Sequence, residues 1–80
     1  MSVEASAEAS AEALIQRDLG AFRQAVENQH EFQRLYLVAC QTMDWPRAES
    51  LRVTVGCWGE AAMDAYARCW HRLEIAHRGR

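Results

Sequence analysis

Two residue spacings, four and three, alternate along the first half of the chain and constrain its fold more than any other feature. From Ile15 to Met43 they connect mostly apolar residues. A 4,3 spacing puts every member on one face of an α-helix, as in the seam along which two helices pack side by side at a shallow angle. The pattern predicts a first helix over residues 14–43. Its members are Ile15, Leu19, Phe22, Val26, Gln29, Gln33, Tyr36, Cys40 and Met43.

A second series with the same spacing follows Pro46 and predicts a second helix over residues 47–77. The stretch from Arg52 to Gly59 within it also alternates like a β-strand and contains β-branched residues. A strand there would have no partner in its own chain, so a helix is favoured. The members of the second series are Leu51, Val55, Trp58, Ala62, Ala65, Cys69 and Ala76.

A turn at residues 44–46, with the sequence Asp-Trp-Pro, separates the two predicted helices. Asp44 is a good cap for a new helix, and proline is tolerated in a first turn because it has no N–H to leave unpaired there. Trp45 precedes proline and is therefore disfavoured in the α region, which supports a break. Residues 1–13, in which glutamate recurs every fourth residue among small residues, are predicted to form an acidic helical extension.

Two long helices joined by a short turn make an antiparallel hairpin, so residues 1–80 are predicted to form one all-α domain. The charges agree with this pairing, since the turn brings an acidic first end beside a basic last end. The expected neighbours are Asp18 with Arg72 and Glu12 with Arg78.

The predicted hairpin has more apolar surface than two helices can bury against each other. A lone core in a chain of 80 residues is marginal, and large residues such as Phe32, Met63 and Trp70 lie beside the seam. We therefore expect two hairpins to form a four-helix bundle as a two-fold homodimer, or one hairpin to dock on a foreign protein. The residues expected in this core and dimer interface are Leu19, Phe22, Val26, Phe32, Tyr36, Leu51, Val55 and Leu73.

Two glutamines interrupt the first seam and leave two interpretations open. Polar residues at core positions can fix the register or the oligomeric state of packed helices. Alternatively, the helix rotates slightly, exposes Gln29 and Gln33, and buries Phe32 and Leu35 in their place.

No enzyme and no cofactor is predicted, because the chain has no nucleophile motif and no glycine-rich phosphate loop. The alternative is a di-iron helical bundle, for which Glu27-x-x-His30 and a facing Glu60 supply the residue types. Their positions off the seam favour solvated surface residues instead, since metal ligands must converge. The three cysteines form no CxxC pair, and the spacing of Cys69 and His71 matches no zinc module.

The charge and hydropathy patterns predict a cytoplasmic protein that does not enter a membrane. The N-terminal segment is acidic, unlike a signal or transit peptide, and no apolar run is long enough to span a bilayer. A basic cluster near the C-terminus, which includes Arg72, Arg78 and Arg80, makes a small nucleic-acid-binding protein a further alternative. The acidic first helix beside this cluster and the net charge of −2 count against it.

Aromatic and arginine side chains dominate the hot spots of protein interfaces, and the predicted turn carries both types. Trp45, with Arg47 beside it, either contacts a partner or folds back over Val38 or Leu51. The residues expected to contact a protein partner are Trp45, Arg47, Trp58, Tyr66 and Trp70.

In size, composition and inferred architecture, the chain resembles small phage-encoded helical hairpins that inhibit host proteins. Anti-activators of bacterial transcription regulators and anti-CRISPR proteins are of this kind. Small helical secretion chaperones, which act as adaptors, form a second class of similar size. The resemblance covers the overall plan, and it implies a protein that acts by stoichiometric binding and covers the working surface of its partner.

Overall fold

The chain folds as two long antiparallel helices. The computed structural model describes the backbone of residues 3–78 and the side chains of residues 10–78. Helix α1 spans Val3–Gln41 and helix α2 spans Trp45–Arg78. This confirms the predicted all-α hairpin, and the stretch 52–59, which also resembled a strand in sequence, lies inside α2.

The hairpin is long and only one helix thick. Its principal extents are 61, 20 and 12 Å, and a single helix with its side chains is itself about 10–12 Å across. Each helix therefore turns one side to its neighbour and leaves its other sides open. No large side chain among the described residues is fully buried. Neither helix has an apolar stretch long enough to cross a membrane, as far as residues 3–78 show.

Helix α1 ends at Gln41, two residues before the predicted end at Met43. The N–H of Asp44 donates to the carbonyl of Ala39 at 2.9 Å. The N–H of Met43 donates to the carbonyl of Cys40 at 3.1 Å. These two bonds form a Schellman motif, which satisfies the last carbonyls of a helix and requires a left-handed residue. Met43 is that residue, with φ at 58°, so the helix stops before it.

Helix α2 begins at Trp45, two residues before the predicted start at Arg47. Asp44 caps the helix as predicted, because its carboxylate accepts a hydrogen bond of 3.4 Å from the N–H of Arg47. Pro46 lies in the first turn, where no hydrogen bond is lost through its missing N–H. The cap places Trp45 in the helix despite the bias of a residue before proline. The connection is therefore residues 42–44 rather than the predicted 44–46.

Small residues form the centre of the seam between the helices. Ala25 of α1 is 3% exposed and Ala65 of α2 is 1% exposed. Side chains of this size let two helix backbones approach closely, which leaves little room for large side chains between them. The buried apolar residues are Ala25, Ala39, Ala48, Ala62, Ala65 and Cys69.

The face that α1 turns toward α2 differs from the predicted one. Asp18 and Ala25 are buried, whereas the predicted members Leu19 and Val26 are half-buried at the edge. The spacing is the same, but every second member is shifted by one residue. The alanines bring the backbones together, and this displaces the larger neighbours to the flank. The observed face consists of Ile15, Asp18, Phe22, Ala25, Gln29, Phe32, Tyr36 and Ala39.

The two glutamines of α1 behave differently from each other. Gln33 is exposed, and Phe32 and Leu35 are half-buried, as the rotated helix predicts. Gln29 remains half-buried in the seam. The interpretation of a rotated helix is therefore correct for Gln33 and wrong for Gln29.

The predicted face of α2 is confirmed except at its end. Every member of the predicted series from Leu51 to Cys69 is buried or half-buried. Ala76 is exposed, and Arg72 takes the last position of the seam instead. Leu73, which was expected in the core or the dimer interface, is 44% exposed in the single hairpin. The other residues expected there are half-buried, namely Leu19, Phe22, Val26, Phe32, Tyr36, Leu51 and Val55.

Candidate interaction surface

Four large apolar side chains form one exposed line along α2. Met63, Tyr66, Trp70 and Leu73 are spaced 3,4,3, so they share one face of the helix beside the seam. They are 66%, 53%, 58% and 44% exposed, respectively. We call this line the outer stripe. It is exposed because α1 covers the seam of α2 and the hairpin has no further layer.

Toward the turn, the outer stripe continues into an open groove. Gly56 and Gly59 extend its spacing without side chains, and a groove of about 660 Å³ lies between them, Met63 and the α1 residue Val26. A Cβ at Gly56 would meet nothing within 4 Å, whereas one at Gly59 would lie 2.9 Å from Nε2 of Gln29. Gly59 thus makes room for the Gln29 side chain, and Gly56 keeps the groove open.

Tyr66 is supported from the seam by Phe22 of α1. The two ring centroids are 5.8 Å apart and the ring planes are tilted by 47°, which is a favourable arrangement for an aromatic pair. Phe22 is itself half-buried. The contact anchors the middle of the outer stripe to α1, so the Tyr66 ring is already oriented before any partner binds.

Asp18 fastens the two helices together near the end of the seam. Its carboxylate accepts hydrogen bonds from Nε of Arg72 at 2.8 Å and from Nε of Arg68 at 3.5 Å. The bond from Arg72, with help from Arg68, holds the pKa of Asp18 below its usual value, although burial acts in the opposite direction. The predicted pairing of Asp18 with Arg72 is confirmed. Between the described side chains of Glu12 and Arg78, by contrast, no ion pair forms.

Part of the C-terminal basic cluster is already engaged in the contact with Asp18. Arg68 and Arg72 share the charge of Asp18, which weakens their attraction for phosphate groups. Arg78 is exposed, and Arg80 lies outside the described residues. The geometry therefore gives the nucleic-acid alternative little support.

Near the turn, polar side chains form contacts within α2 and within α1. Glu49 and Arg52 form an exposed ion pair of 2.6 Å, which lowers the pKa of Glu49 and raises that of Arg52. On α1, a hydrogen bond with the Cys40 side chain is the main cause that raises the pKa of Tyr36. These contacts favour the charged forms of the ion pair and the neutral form of the phenol.

The residues considered for a metal site do not converge. Glu27, His30 and Glu60 are all exposed. The described part of the chain contains no group of three or more His, Cys, Asp or Glu side chains placed to hold an ion. Cys69 is buried in the seam while His71 is exposed. Neither the di-iron nor the zinc arrangement is thus formed by these residues in the single hairpin.

The five side chains expected to contact a partner lie in three separate places. Tyr66 and Trp70 belong to the outer stripe, whereas Trp58 is half-buried in the seam. Trp45 and Arg47 are exposed at the start of α2, and Trp45 is roughly 38 Å from Trp70 by helical rise. Trp45 is 61% exposed, so folding back covers it only in part. The five residues therefore do not form one continuous surface.

Met63 belongs to this surface although the sequence did not single it out as a contact residue. The sequence did contain a signal for Met63, because the spacing that connects Met63 to Leu73 marks a second apolar line on α2 beside the seam. The seam and this second line have the same period and lie side by side on the helix. The apolar pattern therefore resembled a single wide face.

No protein family, curated protein or solved structure matches this chain. The likeness to phage-encoded hairpins therefore rests on size, composition and architecture alone.

Proposed function

We propose that the chain is a non-enzymatic regulator that binds other proteins and acts by covering the surface to which it binds. The outer stripe carries this proposal, because four neighbouring large apolar side chains are 44% to 66% exposed. Contiguous exposed apolar side chains mark protein interaction sites. Tyrosine and tryptophan, which stand at the centre of this stripe, are also among the residues that contribute most to binding.

The shape of the hairpin favours stoichiometric binding over catalysis. A molecule 12 Å thick has no room for a pocket that encloses a small substrate, whereas such sites usually bury most of their ligand. A long rod instead offers one side along which another protein can lie, as amphipathic helices do in grooves. The open groove beside the outer stripe adds contact area without enclosing a ligand.

A second exposed surface lies at the turn and belongs to the same proposal. It consists of Met43, which is 74% exposed, Trp45, which is 61% exposed, and the exposed Arg47. We call these residues the turn surface. Tryptophan and arginine are both enriched in hot spots. We favour inhibition of a host protein, which the resemblance to phage-encoded hairpins implies, and place it in the cytoplasm because the acidic N-terminal segment is unlike a signal peptide.

Quantitative affinity capture from a lysate of the source organism tests the proposal. Wild type is compared with Trp70→Ala, which truncates the outer stripe, and with Trp45→Ala, which truncates the turn surface. Ile75→Ala is the matched control, because Ile75 is 58% exposed, like Trp70, but lies off the outer stripe. We expect a foreign protein in near-equimolar amount, and a loss of roughly 30-fold in affinity for at least one tryptophan variant.

The control variant should capture as much of that protein as wild type does. The proposal is wrong if no protein other than the chain itself is captured stoichiometrically, or if neither tryptophan variant reduces the capture.

A further inference from the structure

We infer that the outer stripe binds a second copy of this chain, with the two α2 helices antiparallel around a two-fold axis at Met63. The inference rests on the proposed function in one respect, namely that the outer stripe is a protein-binding surface. It adds the identity of the occupant and the register. In this register, a residue a given number of positions before Met63 faces the residue the same number of positions after it on the partner helix.

Shape complementarity supports this register. Gly56 lies seven positions before Met63 and Trp70 lies seven positions after it. The open groove at Gly56 therefore faces the indole ring of the second copy, and nothing within 4 Å of the missing Cβ obstructs it. Each copy thus offers both the indole ring of Trp70 and the groove that receives it, as a two-fold interface requires.

The most exposed side chain of the outer stripe also finds a partner. Met63, the most exposed member of the outer stripe, meets its own copy at the axis. Trp70 is therefore opposed by Gly56, and Met63 by its own copy.

Charge complementarity holds at both ends of the paired segment. Arg52 lies eleven positions before Met63 and faces Glu74, while Glu49, fourteen before, faces His77. Glu74 and His77 line an open hollow of about 370 Å³ beside Trp70. In the single hairpin, Glu49 and Arg52 form an ion pair with each other along α2, and both side chains are more than half exposed. The second copy places the opposite charge of Glu74 next to Arg52 and the imidazole ring of His77 next to Glu49.

A parallel arrangement keeps the contact of Met63 with its own copy but loses the other matches. Each residue would then face its own copy, so Gly56 would face a glycine and leave a gap. Glu74 would face a like charge, which is unfavourable. Trp70 would meet Trp70 with no groove to receive either ring. The antiparallel register is therefore the one in which the same surface satisfies itself in shape and in charge.

The two aromatic side chains supply a substantial part of the area that a stable dimer buries. The paired segment from Glu49 to His77 is roughly 42 Å long. Fully burying a tyrosine or tryptophan removes about 150–250 Å² from water, so the exposed halves of Tyr66 and Trp70 from two copies supply about 400 Å². That is roughly a quarter of the area buried in an interface of standard size. Met63, Leu73 and the groove contribute further area.

Light scattering behind size exclusion, over a series of concentrations, tests whether the dimer forms. Wild type is expected to elute at twice the chain mass of 9.1 kDa. Trp70→Ala is expected to weaken the dimer at least 30-fold, roughly, because each copy loses its main hot-spot side chain. Ile75→Ala, with the same exposed fraction but a position off the outer stripe, is expected to leave the mass unchanged.

Cysteine crosslinking tests the register. In a background with Cys40, Cys57 and Cys69 replaced by alanine, Met63→Cys is expected to form an intermolecular disulfide rapidly under mild oxidation. Leu73→Cys is expected not to do so, since the two copies of Leu73 lie roughly 30 Å apart along the paired helices. Ile75→Cys reports the rate of random collision. Circular dichroism of each variant checks that the background remains helical.

A monomer at every concentration would overturn the inference, as would rapid disulfide formation by Leu73→Cys, which indicates a parallel pair. The outcomes also separate the inference from the proposed function. A monomer whose capture of a foreign protein depends on Trp70 leaves the function standing and assigns the outer stripe to that protein. A dimer in the stated register that captures no foreign protein contradicts the function and leaves the inference standing.

Discussion

Asp18 and Arg72 are fifty-four residues apart in the sequence, and the Arg72 guanidinium donates a hydrogen bond of 2.8 Å to the Asp18 carboxylate. Asp18 is 2% exposed, so a charged group lies in a seam whose other buried residues, among those described, are five alanines and Cys69. Such a group is tolerated because Arg68 and Arg72 both satisfy it. The contact fixes which residues of the two helices stand side by side.

Asp18→Asn is expected to lower stability at neutral pH and to flatten the loss of stability in acid. The folded pKa of Asp18 lies below its usual value of 3.8. Its contribution is therefore present above that value and is lost as the pH falls through the folded pKa. Wild type should lose stability between about pH 5 and pH 2, and the variant should lose less. Urea unfolding midpoints, followed by circular dichroism at several pH values, measure the difference.

Glu31→Gln is the matched control for this prediction. Glu31 forms an ion pair of 2.7 Å with Arg34, but both side chains are more than half exposed. Exposed pairs contribute little to stability, so this variant should follow the wild-type curve. Equal acid sensitivity of wild type and Asp18→Asn would contradict the role assigned to the buried carboxylate.

Met43→Gly is expected to stabilise the hairpin by up to about 1 kcal/mol. Met43 holds a left-handed conformation at φ 58°, which costs a side-chain-bearing residue roughly 1–2 kcal/mol and glycine almost nothing. Its side chain is 74% exposed, so its removal loses little burial. Thermal and urea unfolding measure the gain. Gln41→Gly, in the last turn of α1, should instead destabilise by about 0.5–1 kcal/mol, and a loss of stability in Met43→Gly would refute the argument.

Ala25→Leu is expected to destabilise the hairpin by about 1–3 kcal/mol, because the larger side chain forces the helices apart. Ala25 is 3% exposed where the helices meet. Ala21→Leu, one turn earlier on an exposed position of the same helix, should change the free energy of unfolding by less than about 0.5 kcal/mol. Urea titrations of both variants give the comparison. Equal effects at the two positions would show that the alanine seam is not closely packed.

The three glycines inside the helices are expected to respond differently to alanine. Gly20→Ala and Gly56→Ala should each stabilise the helix by about 1 kcal/mol, since a Cβ meets nothing within 4 Å at either position. Gly59→Ala should gain less, because its Cβ would come within 2.9 Å of Nε2 of Gln29, which must move. Unfolding at low protein concentration measures these effects on the single hairpin.

Charge reversal across the inferred dimer is expected to show pairwise compensation. Arg52→Glu and Glu74→Arg alone should each weaken self-association a few-fold, roughly, as expected for partly exposed ion pairs. The double variant restores opposite charges and should recover most of the loss. Sedimentation equilibrium gives the dissociation constants. Additive weakening in the double variant would mean that these two residues do not meet.

Much of the hairpin was predictable because the signals are local or follow from chain order. The 4,3 spacing of α2 from Leu51 to Cys69 marks the face that is buried in the structure. Asp44 could be recognised as a cap from its residue type and its position before Pro46. The pairing of Asp18 with Arg72 followed from the position of the turn alone.

The packed face of α1 was not predictable from hydrophobicity. Two series with the same spacing overlap on this helix and share Ile15, Phe22, Gln29 and Tyr36. One continues through Leu19 and Val26, and the other through Asp18 and Ala25. Hydrophobicity favours the first series, but close approach of the helices favours the second, and the carboxylate of the second is satisfied only by side chains from α2.

The sequence by itself thus determined two long helices, their cap, their antiparallel direction and their approximate register, since each follows from residue type and spacing along one chain. Only the tertiary structure decided which side of α1 is buried, that Trp58 lies in the seam and that Trp70 lies outside it. The physical reason is that exposure depends on how closely two helices approach. That distance is set jointly by the alanines of both helices, not by the apolar pattern of either one.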